Sequence, residues 1–190
     1  MADLNFAGSY DGLHLPYSPE AEQAVLGAII LESNTFDKVV DILKSPDYFY
    51  VSLHKLIFAQ MQEMIGLGLN IDFVTLLERL KQNKAFDEST GKSYLFDLVD
   101  NCPSISNAEE YAKIIAEKYN VRRLITASRE IIDDATAGNE DPSVLIDSAE
   151  QKIFDIRQGK KRHGLERINS VILQTFDRLD ALNSETDNSM

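Results

Sequence analysis

Residues 107–138 read NAEEYAKIIAEKYNVRRLITASREIIDDATAG, and a single helical periodicity runs through all of them. Asn107, with Glu110 three residues later, has the pattern of a variant capping box, and Gly138 is a typical helix stop. The apolar residues between them recur at spacings of three and four: Tyr111, Ile114, Ile115, Val121, Leu124, Ile125, Ile131 and Ile132. At 1.5 Å per residue the helix would be roughly 45 Å long, which is more than a bundle of short helices can cover.

A second long helix is predicted just downstream, starting at Asp141 and Pro142. The apolar residues of one of its faces recur at helical spacing: Leu145, Ala149, Ile153 and Ile156. The turn GNEDP between the two helices is short enough to fold them antiparallel. Two helices alone bury too little apolar surface, so we expect this hairpin, residues 107–158, to meet a second copy or another partner.

Upstream, residues 18–106 predict a globular head of about five short helices. The first has Ser18 as its N-cap and Pro19 at the first helical position, with Glu20 and Glu22 in the first turn, where the helix dipole favours acids. Other helices are predicted from Asn34, from Ser52 to Gly66, from the Asp72 cap onward, and over 92–101 after a loop at 85–91. No stretch shows the alternation of a strand, so the predicted fold class is all-α.

A separate helix is predicted over residues 168–183, which we call the linker helix. Its apolar residues fall on one side of a helix: Ile168, Val171, Ile172, Phe176 and Leu179. The basic stretch 159–167 precedes it, and an exposed linker is favoured over a phosphate contact there because no aromatic residues interleave for stacking. Residues 1–17 are predicted to be a flexible arm and residues 184–190 a disordered tail.

Composition limits the function classes. The chain has 190 residues, 19 basic and 31 acidic side chains and a net charge of −12, which would repel a phosphate backbone. Little or no direct DNA binding is therefore expected. The single Cys102 excludes an internal disulfide, and neither a signal peptide nor an apolar run of about 18 residues is present. We expect a cytoplasmic protein that does not enter the membrane.

The sequence offers little catalytic chemistry. The letters STGKSY at 89–94 match the end of a phosphate-binding loop, but Phe86 stands where the first glycine is needed and a helix, not a strand, precedes. A capped turn into the next helix is the favoured interpretation. The three histidines lie far apart and lack ligand spacing, and His54 is predicted to serve packing or the surface. We expect no catalytic residue, bound cofactor, metal or enzyme activity in this chain.

Five segments carry a more specific signal than periodicity. They are LPYSPEAEQAVLGAIIL (15–31), DYFYVSLHKLIFAQM (47–61), NIDFVTLLERLKQN (70–83), GKSYLFDLVDNCPSISNAEEYAKIIAEKYNVRRLI (91–125) and INSVILQTFDRLDAL (168–182). In order and spacing they resemble the N-terminal domain and linker helix of the bacterial replicative DNA helicase family DnaB. The resemblance covers about residues 13–183.

This resemblance implies a helical head and hairpin, six copies of which pair as a trimer of dimers into a collar above an ATPase ring. It implies recruitment of the primase DnaG through the C-terminal domain of the primase, and a helicase loader is a further candidate partner. The linker helix would dock on the ATPase domain of the adjacent subunit. That domain, which uses ATP and Mg²⁺, is expected beyond this chain, so we expect a truncated piece of a helicase. The alternative is a stand-alone adaptor or phage-type protein that mimics the domain and binds helicase subunits.

The resemblance also assigns residues. Tyr94, Ile125 and Ile131 occupy positions through which the family couples to primase, although Ile125 and Ile131 fit the apolar core stripe equally well. Self-association is expected on the apolar faces of the two long helices, at Leu124, Ile132, Leu145, Ile153 and Ile156. For the chain in isolation we expect a dimer, with a hexamer at high concentration.

Overall fold

The computed structural model describes residues 15–82, 86, 88–138 and 141–158. They form seven α-helices and no strand: α1 (Pro19–Leu31), α2 (Thr35–Ile42), α3 (Ser52–Gly66), α4 (Phe73–Lys81), α5 (Glu88–Asp100), α6 (Ala108–Ala137) and α7 (Pro142–Gln158). Short 3-10 turns occupy Pro46–Tyr48 and Ile105–Asn107. The all-α prediction is confirmed, with five short helices followed by two long ones.

Helix α1 lies at the centre of the head, packed by α3, α5 and α6. The Ser18 hydroxyl accepts a hydrogen bond from the Ala21 backbone N–H at 3.3 Å, so the predicted N-cap is confirmed. Gly27 lets α5 approach closely, because a Cβ at this position would lie 2.1 Å from the carbonyl oxygen of Leu98. Almost the whole circumference of α1 is therefore buried, which is typical of a central helix.

The core of the head is built from apolar side chains of α1 to α6. Its largest fully buried members come from α1, α3, α4 and α5 and from the segment between α2 and α3: Phe49, Phe58, Leu26, Ile29, Leu43, Ile57, Met61, Met64, Leu76, Leu80, Leu95 and Leu98. Burying each such side chain contributes roughly 1.5–3 kcal/mol relative to leaving it in water. The start of α6 joins this core through Ala108, Ala112 and Ile115.

Two predicted helix boundaries in the head are confirmed. The Asp72 carboxylate accepts hydrogen bonds from the backbone N–H groups of Val74 and Thr75 at 2.8 and 3.0 Å, and the Thr75 hydroxyl accepts one from the Asp72 N–H. These bonds complete a capping box at the start of α4. Helix α3 ends at Gly66, and Gly68 follows with φ 72°, a left-handed conformation that glycine adopts at little cost.

The predicted start of α5 is wrong. The helix begins at Glu88, so residues 88–91 of the expected loop are helical. Phe86, 7% exposed, packs on the first turn of this helix, and a Cβ on Gly91 would lie 2.2 Å from the Phe86 ring. Glycine at position 91 therefore leaves room for the buried Phe86 ring against the start of the helix, an arrangement that periodicity alone does not indicate.

The capping box predicted at the start of α6 is also wrong. Helix α6 begins at Ala108 as expected, but Asn107 makes no side-chain capping bond. Its backbone, at φ −95° and ψ 8°, ends a 3-10 turn instead of adopting the extended conformation that an N-cap side chain needs. At the other end the prediction is confirmed, because Gly138 caps α6 with φ 66°.

The chain divides into two compact units, residues 1–139 and 140–190, which we describe separately. In the second unit the Asp141 carboxylate accepts bonds from the backbone N–H and the hydroxyl of Ser143, at 2.9 and 2.7 Å, and caps α7. The predicted linker helix lies outside the described residues. The domain boundaries and the antiparallel pairing of α6 with α7 stay predictions. Within the described part of the chain, no helix is long and apolar enough to cross a membrane.

Candidate functional site

Tyr94, one of the positions assigned to primase coupling, lies on α5 and is half-buried. Its hydroxyl oxygen is 2.5 Å from Nε2 of His54 and accepts a hydrogen bond from the Gln23 side-chain amide at 3.1 Å. The two rings stack with centroids 5.8 Å apart. Burial raises the pKa of the Tyr94 hydroxyl, so the group remains protonated at neutral pH.

His54 connects Tyr94 to a buried acid. Its Nδ1 lies 2.6 Å from Oε2 of Glu22, and each of the two side chains is only 1% exposed. Glu22 also accepts hydrogen bonds from the backbone N–H groups of Tyr50 and Val51, at 2.7 and 3.3 Å. The first turns of α1 and α3 and the segment before α3 therefore meet on one carboxylate. We call Glu22, His54 and Tyr94 the buried polar chain.

Arg122 anchors α6 to the same part of the head. Its guanidinium donates to the carbonyl oxygens of Pro16 and Tyr48, at 2.9 and 2.6 Å, and the residue is 8% exposed. The guanidinium also lies 5.5 Å from the centroid of the Tyr50 ring and 5.6 Å from that of Tyr119. Burial lowers the Arg122 pKa, and the negative charge of Glu22 counteracts this shift. The arginine therefore ties α6 to the backbone that surrounds the buried polar chain.

A second face of α6, roughly 100° around the helix from Arg122, carries a line of accessible apolar side chains. Ile114, Val121, Leu124 and Ile132 are between 38% and 46% exposed, and we call them the exposed row. The row extends over 18 residues, about 27 Å of helix. Such a row on a long helix is typical of a protein-interaction surface.

The primase candidates on α6 are neither core nor fully accessible. Ile125 and Ile131 are half-buried, whereas Ile115, earlier in the same helix, is fully buried. Spacings of four and seven place Ile125 on the line that joins Val121 and Ile132. The structure thus leaves these two isoleucines partly available to a partner, and their assignment stays a prediction.

The self-association candidates divide in the same way. Leu124 and Ile132 on α6 belong to the exposed row, and Ile153 on α7 is 51% exposed. Leu145 and Ile156 on α7 are half-buried. The candidates of the linker helix, Ile168, Val171, Ile172, Phe176 and Leu179, lie outside the described residues. All these assignments stay predictions.

The phosphate-loop interpretation of STGKSY does not fit the backbone. Residues 89–94 lie inside α5, so their backbone is helical and does not form the open loop after a strand that cradles a phosphate. Lys92 is an ordinary exposed helical residue. Among the described residues no group of three or more His, Cys, Asp or Glu side chains is placed to hold a metal ion.

Sequence reasoning misses the buried polar chain. Periodicity and dipole arguments make Glu22 an acid of the first helical turn and His54 a packing or surface residue, yet the two form a buried pair. One signal is present: the residues after Glu22 and Gln23, AVLGAIIL, are apolar almost without interruption, which indicates a helix buried all round. An acid in the first turn of such a helix needs buried partners.

Comparison with known proteins agrees with this architecture. The family model for the DnaB-like helicase N-terminal domain matches residues 14–117. The replicative DNA helicase DnaB of Geobacillus stearothermophilus is 36% identical over 169 residues, covering 89% of this chain and 37% of that helicase. The replicative DNA helicase DnaC of Bacillus subtilis (strain 168) is 34% identical with the same coverage. The chain thus spans little more than a third of the length of these relatives.

Solved structures show the same fold. The crystal structure of the N-terminal domain of DnaB helicase from Mycobacterium tuberculosis matches with a TM-score of 0.69 at 30% identity, covering 75% of this chain and 99% of that one. A DnaB-like replicative helicase whose structure was described with its interactions with primase matches with a TM-score of 0.57 at 20% identity, covering 86% and 36%. The second likeness concerns the fold alone. By family model, sequence and structure, this chain belongs to the family of DnaB-like helicase N-terminal domains.

Proposed function

We propose that the chain is the non-catalytic collar domain of a replicative DNA helicase, which holds subunits together and recruits the primase DnaG during replication in the cytoplasm. The observation that carries this proposal is the exposed row on α6. Its four apolar side chains, Ile114, Val121, Leu124 and Ile132, lie along a helix whose adjoining face is fixed to the head by Ile115 and Arg122. A rigidly held apolar row suits a partner that binds by burying surface.

In this proposal the chain contributes binding and not chemistry. ATP hydrolysis and DNA unwinding would belong to the ATPase domain of the whole helicase, together with ATP and Mg²⁺. The net charge of −12 supports a role that avoids direct contact with DNA. A replicative helicase of the same fold has been described with its interactions with primase, and primase is therefore the partner to test.

The test is light scattering on the purified 190-residue chain as it elutes from a sizing column, alone and with the C-terminal domain of the DnaG primase from the same genome. We expect a dimer or a hexamer that takes up the primase domain. A monomer that leaves the primase domain unbound would overturn the proposal. Leu124→Glu and Ile132→Glu, in the exposed row, should weaken self-association, whereas Thr126→Glu, exposed on another side of α6, adds the same charge as a matched control.

A further inference from the structure

The buried polar chain joins three helices of the head through two short contacts. Glu22 lies in the first turn of α1, His54 in α3 and Tyr94 in α5, and 32 and 40 residues separate the bonded pairs. A buried carboxylate and a buried imidazole both cost free energy when they leave water, so their hydrogen bonds must be satisfied inside the head. Such a series of hydrogen bonds holds the residue at its accessible end in one position, and that residue is Tyr94.

The donors and acceptors around the buried polar chain indicate which group donates at each of its hydrogen bonds. Glu22 accepts from the Tyr50 and Val51 N–H groups, so its carboxylate also accepts from Nδ1–H of His54. On a ring whose one proton is on Nδ1, Nε2 has a lone pair that can accept the Tyr94 O–H. The Tyr94 oxygen then accepts the Gln23 amide. In this order every polar atom has a partner and the hydroxyl hydrogen points inward.

We propose that Glu22 and His54 are positioning residues for Tyr94: the Glu22 carboxylate holds the His54 proton on Nδ1, and Nε2 anchors the Tyr94 hydroxyl so that the ring, not a free O–H donor, faces a partner. The part of this inference that concerns primase rests on the proposed function. Tyr94 would then act through the placement of its ring, and His54 would act through Tyr94 without touching the partner.

The first experiment reads the His54 proton directly. The chain has three histidines, so the background His14→Gln with His163→Gln leaves His54 as the single imidazole for nitrogen-15 NMR. We expect a protonated Nδ1 and an unprotonated Nε2. A ring protonated on Nε2, alone or together with Nδ1, would overturn the proposed proton order.

Glu22→Gln in the same background tests the carboxylate. If the oxygen of the introduced amide faced His54, its N–H groups would face the Tyr50 N–H, which approaches Glu22 Oε1 to 2.7 Å in the wild-type chain. Two donors would then oppose each other at this short distance, whereas the other orientation opposes the amide only to the Val51 N–H, which lies 3.3 Å from Oε2. The amide should therefore turn the other way and donate to Nδ1, which moves the His54 proton to Nε2. An imidazole that keeps its proton on Nδ1 in this variant would show that Glu22 does not set the order.

The second experiment measures binding of the chain to the primase C-terminal domain by calorimetry. Tyr94→Phe keeps the ring and removes the anchored hydroxyl, and His54→Phe keeps a stacked ring and removes Nε2. Each should weaken binding about fivefold to tenfold, the scale of one hydrogen bond. Because both substitutions remove the same hydrogen bond, the double variant should bind the primase domain no more weakly than the single variant with the lower affinity. If the fold-losses in affinity of the two single variants multiply in the double variant, the inference is overturned.

Ile57→Val, in the fully buried part of α3, is the control for general destabilisation. It should lower the thermal midpoint and leave primase affinity within about twofold of the wild type, since it removes only core packing. Primase binding by Tyr94→Phe at wild-type strength would contradict the positioning role.

Two further outcomes are distinguishable. If His54→Phe does not fold, Tyr94→Phe and the NMR measurement still decide the question. If the wild-type chain does not bind the primase domain, the proposed function fails, while the NMR result decides separately whether Glu22 and His54 orient Tyr94.

Discussion

The two sides of α6 use the same residue types for different purposes. Ile115 and Ile114 are neighbours in the chain, but the first is 1% exposed and belongs to the core of the head, whereas the second is 38% exposed and begins the exposed row. Arg122 and Val121 repeat the contrast about two turns later, because the charged residue is buried and the apolar one is accessible. On this helix, burial depends on the direction of the side chain and its partners more than on polarity.

The largest expected effect compares the two neighbouring isoleucines. Ile115→Ala should lower the free energy of unfolding by about 3 kcal/mol, because it opens a cavity in the core. Ile114→Ala should change it by no more than about 0.5 kcal/mol, as is usual for accessible positions. Urea unfolding followed by circular dichroism measures both. Equal losses would mean that α6 does not divide into a packed and an accessible side.

Arg122→Ala should lower the free energy of unfolding by about 2 kcal/mol, since the carbonyl oxygens of Pro16 and Tyr48 would lose a charged donor and each buried group left unpaired costs roughly 1–3 kcal/mol. Lys113→Ala, at an exposed position of the same helix, should change stability much less, because it removes only an exposed ion pair with Glu110. Chemical unfolding of the two variants side by side makes the comparison. An Arg122→Ala chain as stable as the wild type would show that α6 is held by its apolar contacts alone.

The exposed helix cap Asp72 should contribute less to the free energy of unfolding than the buried Arg122. Hydrogen bonds from the backbone of Thr75 lower the pKa of the Asp72 carboxyl below its ordinary value of 3.8, and the Thr75 hydroxyl and the Val74 N–H add to this shift. A lowered folded-state pKa means that the stabilisation is complete above the unfolded value and is lost as the pH falls through the folded value.

At pH 7, Asp72→Ala should therefore cost about 1 kcal/mol of unfolding free energy, and the difference from the wild type should shrink below about pH 4. Asp72→Asn is the control, because the amide can cap the helix without a charge. A wild-type advantage over Asp72→Ala that grows as the pH falls would contradict this assignment of the cap. Unfolding curves at several pH values supply the test.

The smallest effect on stability belongs to the exposed row. Leu124→Glu should change the free energy of unfolding by no more than about 0.5 kcal/mol, because the side chain already contacts solvent. Circular dichroism during urea unfolding, at a concentration where the wild-type chain is monomeric, isolates this quantity. A loss comparable with that of Ile115→Ala would place Leu124 in the core and weaken its assignment to self-association.

Local signals are the part of this fold that can be predicted from the sequence. The Ser18 and Asp72 caps and the Gly138 stop depend on neighbouring residues, and the structure confirms all three. The start of α5 is missed because residues 88–91, Glu-Ser-Thr-Gly, have the composition of a loop, and the Asn107 cap fails because a 3-10 turn precedes α6. Such boundaries are not fixed by the local pattern, because the context of the folded head overrides weak residue propensities.

The candidate site is predictable only in outline. Periodicity indicates that α6 carries an apolar stripe, but it merges the packed Ile115 with the accessible Val121. The burial of Glu22, His54 and Arg122 depends on partners 28 to 106 residues away in the chain. No spacing rule covers such distances, so these residues emerge only from the assembled head.

The bond from Arg122 to Pro16 also has a consequence for synthesis on the ribosome. These two residues are 106 positions apart, so at 5–20 residues per second roughly 5–20 s pass between their appearance in the growing chain. During that interval the Pro16 and Tyr48 carbonyls have no arginine to bind. The nascent head therefore reaches its final hydrogen-bonding arrangement only after Arg122 of α6 has been made. A chain stopped at residue 117, where the family match ends, would lack the two hydrogen bonds of Arg122.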